Sequence, residues 1–556
     1  MLNNPSRGEA WHPQGPPTST QPPRATTFRC VAVVGLGKIG LPLAVQYAQH
    51  GWRVLGCDTN PQVVETINLG QSPVREEPGL IAGVDAMVSR GLLQATLDTT
   101  EAVRQAKVVV VIVPVSIKAQ CDVDFQTIDV VTAAIGAGLQ PGTLVIYETT
   151  LPVGTTAQRF ASILERTAKL QAGVDFLLAY SPERVSSGSI FRDLRIYPKV
   201  VGGIDEKSTS AAVAFYRSVL DAPIISMAST DEAEFVKLIE ATYRDVNIAL
   251  ANEYACFADA YGLDVAASIA AANTQPYSHI HSPGVGVGGH CIPVYPYFLL
   301  KALEEPALQT HNELASSELN PAHMLTLPRA ARHVNDAMSE YAVNRIEAIT
   351  GSLAHQSVLV LGIAYRGNVR AVAFTSAQLL QHALLARGAS VYVDDPLFSA
   401  AELSELGYTP LPAKHEHEIC AIVLQADHSN YRTLDFSRFA HCRVVMDGRR
   451  ALCPQYIESL GMQYIAIGDG GQKKPTAGGT ARTPYVPLER CPVGELSLSG
   501  EPECLSLQAQ YSSNVQNTQE EECPPGGAFL SSRPVNGGGY PERIYSEAGD
   551  NRWSTS

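Results

Sequence analysis

Residues 284–299 read GVGVGGHCIPVYPYFL and set one thiol, Cys291, directly after a run with four glycines in six positions. Gly286, Gly288 and Gly289 carry no Cβ, so the backbone there can come close to a ligand. A buried cysteine is most often inert packing, but a thiol at the end of such a loop could act as a nucleophile. His290 reads as a positioning or structural residue rather than a base, since a sequence neighbour need not face the thiol. No second Cys/His cluster at zinc spacing accompanies the pair, so no metal site is expected. Two charged residues join the thiol as candidates. Glu183, in YSPERV, follows an apolar run and is expected at the carboxyl edge of a parallel sheet, where α/β ligands bind; the ordinary alternative is a surface salt bridge. Lys237 lies on a largely apolar helical face with Phe235, Ile239 and Tyr243, where a lysine either snorkels or serves as a catalytic cation.

The elements that must position these groups follow from the pattern. Gly35-x-Gly37-x-x-Gly40 comes after the β-branched run that ends at Val34, and it opens the helical stretch LPLAVQYAQHGW, closed by Gly51. RVLGC follows as a second strand and ends at Asp58. Strand, glycine turn, helix, strand and acid make a dinucleotide-binding βαβ unit. A pyrophosphate would lie at the helix N-terminus, and Asp58 would accept the ribose hydroxyls and repel a 2′-phosphate. NAD is therefore the expected cofactor. Apolar runs at 108–115, 143–150 and 175–183 supply further buried strands of a doubly wound parallel sheet. From 231 to 261 the apolar spacing is helical for about nine turns, and a second helix is expected over 330–349. From about 356 the first pattern returns: SVLVLGIAYRG echoes CVAVVGLGKIG, and ASVYVDDP echoes WRVLGCDTNP. In this second copy Ala364 stands in place of Gly37, which implies a different ligand.

The fold class expected is α/β: two Rossmann-like doubly wound domains joined by a long-helix core. The domains run 1–27 (disordered arm), 28–228 (NAD-binding), 229–350 (central helical, dimerising), 351–470 (C-terminal, Rossmann-like) and 471–556 (disordered tail). The spine of 231–261 is apolar on several sides and asks for a symmetry mate, so a homodimer is expected. Hydrophobic residues make up 45% and charged residues 17%, enough for a large core, and the net charge of −14 argues against a general nucleic-acid binder. Eleven cysteines, an odd number without C-x-x-C pairs, read as a reducing compartment. No apolar run is long enough to span a bilayer and no signal segment is visible, so the expectation is cytoplasmic.

The ordered set VAVVGLGKIGLPLA, ETTLPVGTT, YSPERV, VKLIEATYRDVNIALANE, PGVGVGGHCIPVYP, LGIAYRGNV and MDGRR resembles the UDP-glucose/GDP-mannose dehydrogenase family, and GGHCIPVYPYF with SPERV and YRDVNIA resembles its branch acting on N-acetylated sugars. The resemblance implies a four-electron oxidation of a UDP-sugar C6 alcohol to a carboxylate with two NAD in succession. Cys291 would then form a thiohemiacetal and a thioester, Lys237 would stabilise the oxyanion, and Glu183 would handle the water or proton. On the cofactor side the resemblance points to Gly35, Gly37, Lys38, Ile39, Gly40, Asp58, Pro114 and Thr150. On the substrate side it points to Arg184, Arg244, Asn247, Gly286, Gly288, Gly289, Arg366 and Arg449. This sequence departs from the family pattern at Ala241, where Asn is usual, at Tyr295, where Asp is usual, and at Tyr277 and Ala373, where Arg is usual, with Arg370 as a substitute for the last. A UDP-glucose 6-dehydrogenase, a two-electron NAD dehydrogenase and a catalytically impaired nucleotide-sugar-binding subunit stand as rival readings.

Overall fold

The computed structural model describes residues 29–118, 122–186, 188–301 and 325–471; the arm expected at 1–27 and the tail from 472 onward lie outside them. In chain order the strands are β1 (Cys30–Val34), β2 (Arg53–Cys57), β3 (Leu93–Thr96), β4 (Val108–Val111), β5 (Ser116–Ile117), β6 (Val123–Asp124), β7 (Leu144–Tyr147), β8 (Leu177–Tyr180), β9 (Lys199–Gly203) and β10 (Ile224–Ser226). All but the short β5–β6 hairpin form one eight-stranded sheet ordered β10-β9-β8-β7-β4-β1-β2-β3. Its centre is fixed by register: Ala32 of β1 lies between Leu55 of β2 and Val109 of β4. Valines dominate these central strands because helices cover both faces, so both sides of each strand are buried.

One expectation needs correcting. The sheet is not wholly parallel, because β9 runs antiparallel to β8. The chain from 181 to 198 turns back beside β8 through the short helix Ile190–Ile196, and an antiparallel return needs no crossover. The six strands from β3 to β8 remain parallel and carry the site.

A second sheet comprises β11 (Ser357–Leu361), β12 (Ser390–Asp394), β13 (Ile419–Leu424), β14 (Val444–Asp447) and β15 (Gln463–Ala466). Its order is β12-β11-β13-β14-β15, parallel throughout. This is the expected second Rossmann-like unit. Ile363 and Ala364 donate their N–H groups to Asp395 Oδ2 at 2.8 and 3.1 Å, and the buried His428 holds the same oxygen at 3.1 Å.

Between the sheets lies a spine helix, Thr230–Tyr261, 32 residues long. Ser229 caps it by accepting from the Glu232 N–H, Asp231 and Glu232 complement the positive end of the dipole, and Gly262 ends it in the left-handed region at φ +67°. The return helix Thr326–Thr350 packs along it. That helix begins four residues before the expected 330 because Pro328 sits in its first turn, where a missing N–H costs no helical bond. Small residues such as Ala251, Ala255 and Ala258 let the pair approach, and buried amides join them: Asn252 donates to Asn335 at 2.8 Å, and Asn335 donates to Asp245 at 2.8 Å. The opposite face of the spine leaves Phe235, Ile239, Tyr243, Leu250, Tyr254 and Phe257 exposed. No helix among the described residues is long and apolar enough to cross a membrane.

Candidate active site

The first glycine turn lies where the strand order reverses: the chain passes from β1 to β2 and β3 on one side, then to β4 on the other. Such a switch point opens a crevice at the carboxyl ends of the strands. Gly35 has φ +98°, and a Cβ there would come within 2.9 Å of the Ile112 carbonyl oxygen. At Gly40 a Cβ would overlap the Gly35 carbonyl oxygen at 1.8 Å. Only glycine permits so tight an entry into the helix Gly40–Gln49. Asp58 closes the turn, accepting from the Leu36 N–H at 3.0 Å and the Asn60 N–H at 2.9 Å. A carboxylate accepts about four hydrogen bonds, so it keeps capacity for a ribose. Gly37 stands beside it in the turn, Ile39 is buried at the helix entry, and Lys38 is buried with its ammonium 3.5 Å from Glu76. Pro114 lies just past β4, on the same sheet edge. These residues fit a dinucleotide.

Beyond β7 the segment ETTLPVGTT is fastened to the spine. Glu234 accepts from the N–H groups of Gly154 and Thr156 at 2.6 and 2.9 Å and from the Thr156 hydroxyl at 2.6 Å. Burial nevertheless pushes the Glu234 carboxyl up to about 8, against the pull of those Thr156 and Gly154 bonds. Thr150 is buried within this anchored turn. Lys237, also buried, projects from the spine one turn after Glu234; Phe235, Ile239 and Tyr243, expected beside it on one apolar face, are exposed on the other side of the helix.

Cys291 is 6% exposed and packs among Leu238, Ala241, Val294, Tyr295 and Phe298. Lys237 and Ala241 are four residues apart on the helix and share a face, so the lysine and the thiol belong to one neighbourhood. The Tyr295 N–H donates to the Cys291 carbonyl at 2.9 Å and starts the short helix Tyr295–Lys301. His290 is half-buried and meets the Phe374 ring edge-on; desolvation, with the Lys38 charge added, pushes its imidazole down to about 4. It is neutral at pH 7, as a positioning residue would be.

The glycines of the loop answer to a different constraint from the one expected. A Cβ on Gly286 would lie 2.6 Å from Ser376 Cβ, and one on Gly288 would lie 2.7 Å from Tyr365 Cβ. Gly289 also abuts the Tyr365 ring. What presses on this backbone is the second Rossmann-like unit. The loop is tied on both sides: Asn252 accepts from the Gly284 N–H at 2.9 Å, Ser339 donates to the Val285 carbonyl at 2.7 Å, and the Gly289 N–H donates to the Ala373 carbonyl at 2.8 Å.

Glu183 follows β8, as its position in the sequence predicts. Its Oε1 accepts from the N–H groups of Arg184 and Val185 at 2.7 and 2.9 Å, and its Oε2 lies 3.5 Å from Lys199 Nζ. Among the expected substrate residues, Arg449 reaches the loop: it donates to the Gln425 carbonyl at 2.7 Å and to the Gly286 carbonyl at 3.5 Å. Arg244 is half-buried on the spine, seven residues after Lys237 and on the same side. Arg366 lies beside the Tyr365 hydroxyl at 3.4 Å. Two are engaged structurally. Arg184 pairs with Glu240 and donates to the Pro198 carbonyl, and Asn247 staples the loop ahead of the glycines, donating to the His279 carbonyl and accepting from the His281 N–H. Arg370, the expected substitute for a cofactor arginine, is bound to Glu402 and the Leu397 carbonyl and stacks on Phe398. Tyr277 is 89% exposed and bonds only through its backbone N–H to Gln275. Sequence reasoning passed over Glu148, Lys199, Glu234 and Asn252, all buried. Glu148 and Glu234 could have been found as acids standing next to Thr149–Thr150 and three residues before Lys237.

Three models of the UDP-glucose/GDP-mannose dehydrogenase family match this chain in order: the NAD binding domain at 29–220, the central domain at 231–321 and the UDP binding domain at 359–454. The UDP-N-acetyl-D-mannosamine dehydrogenase of Pyrococcus horikoshii is 33% identical over 429 residues, covering 76% of this chain and 96% of the relative. An NDP-N-acetyl-D-galactosaminuronic acid dehydrogenase of Ralstonia solanacearum is 33% identical over 433 residues, with 76% and 96% covered. The solved structure of the Pyrococcus horikoshii UDP-D-ManNAc dehydrogenase superimposes with a TM-score of 0.68 at 31% identity, over 79% of this chain and 99% of that one. With its glycine turn, its acidic second-strand end and its second Rossmann-like unit, the chain belongs to the UDP-glucose/GDP-mannose dehydrogenase family and is an NAD-dependent nucleotide-sugar dehydrogenase.

Proposed function

We propose that the chain oxidises the C6 alcohol of a UDP-N-acetylhexosamine, UDP-N-acetylmannosamine foremost, to the uronic acid. The observation that carries the reading is a lone thiol, Cys291, buried against the same spine-helix face that presents Lys237. A two-electron alcohol oxidation needs no thiol. An aldehyde, by contrast, has no hydride to lose until a nucleophile adds to it. NAD, held by the Gly35–Gly40 turn and Asp58, would supply the hydride acceptor for each oxidation. Lys237 stabilises the C6 alkoxide as its proton leaves. Cys291 Sγ then bonds to the aldehyde carbon to give a thiohemiacetal, and loss of the second hydride leaves a thioester. Water adds to the thioester carbon, Glu183 takes the water's proton, and the C–S bond breaks to return the thiol and release the carboxylate. Arg449 and the backbone of 284–289 hold the substrate; Asp58 and the Gly35–Gly40 turn hold the cofactor. The choice of sugar draws on the relatives' substrates. The assay is NADH formed per UDP-N-acetylmannosamine consumed, for which two is expected; one would leave a two-electron dehydrogenase, and none a binding subunit.

The exposed apolar face of the spine supports a homodimer. Phe235, Ile239, Tyr243, Leu250, Tyr254 and Phe257 lie along one helix, and a contiguous apolar strip of this kind is normally covered. A two-fold mate covers it most simply. Sedimentation at micromolar concentration is expected to show a dimer or a multiple of one; a fully active monomer would refute this.

A further inference from the structure

Behind Glu183 the structure holds a cluster of charge that the reaction as described does not use. Lys199, buried on β9, places its ammonium 2.8 Å from Glu148 Oε2 and 3.5 Å from Glu183 Oε2. Glu148 is fully buried at the end of β7 and accepts from the hydroxyls of Tyr47 and Tyr216 through its other oxygen. Two carboxylates and one ammonium thus share a protein interior. Burying ions costs several kcal/mol each, and apolar residues of similar volume serve stability as well or better. Such a cluster is expensive as mere glue.

Its geometry is one-sided. Both Glu183 oxygens are gripped from the sheet, Oε1 by two amides and Oε2 by Lys199. A cavity of about 10 Å³, lined by Glu183, Arg184, Tyr197 and Lys199 among others, adjoins the grip. This is about the space one water needs.

We propose that Lys199 and Glu148 form a buried positioning pair that orients Glu183 and keeps it a carboxylate, so that it serves as a proton acceptor in thioester hydrolysis. The inference rests on the function proposed above. The charges agree with the geometry. Burial alone would raise the Glu183 carboxyl, but the Lys199 ammonium, a hydrogen bond with Glu148 and the two amides hold it below its usual range. Burial pushes Glu148 up to about 7 against the pull of Lys199, with Glu183 adding repulsion. Burial would lower Lys199, and the two carboxylates outweigh it. Around neutrality the cluster's spare proton therefore belongs to Glu148, and Glu183 stays ionised. The other groups facing the cluster are Tyr47 from the helix Gly40–Gln49, Tyr216 from the helix Glu206–Arg217, Tyr180 from β8, Glu234 from the spine, and Arg184, Asp193 and Tyr197 around the cavity. Tyr47, Tyr180 and Tyr216 are held above their ordinary range by burial first, so they stay neutral across the working pH.

The test compares pH profiles of kcat for uronate formation. Glu148→Gln removes the competing charge, and the acid limb is expected at or below its wild-type position. Lys199→Met combined with Glu148→Gln removes the cation together with the neighbouring carboxyl and frees Glu183 from both. There the acid limb is expected to rise by at least about one pH unit, a tenfold loss of rate along that limb. Lys199→Arg is expected to keep the limb in place. Infrared difference spectra of the enzyme without substrate give a second readout: beside the band of Glu234, one further carboxyl band titrating near neutral pH is expected in the wild type and absent in Glu148→Gln. A lower kcat in the double variant with an unmoved limb would reduce the pair to a structural role and overturn the proposal, as would persistence of that further band in Glu148→Gln. The wild-type NADH ratio separates the two readings. A ratio of two with unmoved limbs overturns this inference alone, and a ratio of one or none removes the proposed function and this inference with it.

Discussion

Cys291→Ser is expected to abolish uronate formation, by about 10⁴-fold or more given that deleting a nucleophile costs up to roughly 10⁶ elsewhere, while UDP-sugar binding persists. Serine nearly matches cysteine in volume, so the apolar cluster around Ala241, Val294 and Phe298 stays filled. The hydroxyl is a far weaker nucleophile than the thiolate, and the neighbouring half-buried His290, its imidazole pushed down to about 4 by burial, is a poor base to activate it. The first oxidation needs no thiol, so NADH per sugar should fall from two to at most one. Chromatography of the UDP-sugar products reads this directly. Undiminished acid production by the variant would sink the nucleophile assignment.

Lys237→Met is the second large effect expected. Lys237 is buried on the spine, one turn after Glu234, which anchors the Thr150 turn, and one turn before Ala241. Methionine keeps the length and apolar stem and removes only the charge. Losing one preorganised oxyanion donor costs roughly 10²–10³ in kcat, and here no side-chain amide stands at 241 to compensate. Both NADH steps should slow while KM for the UDP-sugar changes little, because the interaction is made chiefly in the transition state. Steady-state kinetics within tenfold of wild type would return Lys237 to the role of a snorkelling helix residue.

These two residues were visible in the sequence for different reasons. Cys291 stood out by local composition, four glycines and then a thiol. Lys237 stood out by contradiction, a charge inside an apolar helical pattern. Both Rossmann-like units were legible because the glycine turn and the acid of the next strand form a local signature, and the second copy repeats it at Gly362 and Asp395. The reversal at β9 was not legible: nothing local in KVVGG says which way the strand runs, since parallel and antiparallel buried strands share the same β-branched composition. Glu148 and Lys199 were missed because they are 51 residues apart, and a pair that meets only across a sheet leaves no periodic trace. The reason for Gly286 and Gly288 was misjudged in the same way. A sequence shows that a side chain is forbidden, and only the fold shows that Ser376 and Tyr365 are what forbid it. Arg370 looked available as a cofactor contact because charge can be read from sequence and orientation cannot.

The loop at 284–289 has a bearing on how the whole chain comes apart. It leaves the spine at Asn252, crosses to the second unit at Ala373, Ser376 and Arg449, and returns to the spine as Cys291 settles beside Ala241. Chain segments that touch a neighbouring unit on so many backbone and side-chain atoms cannot loosen alone, and units that share such a segment lose their independence as cooperative blocks. The second Rossmann-like unit and the spine are therefore expected to open together: loosening one strips the other of the stitch between them, and the thiol is the last knot in that seam.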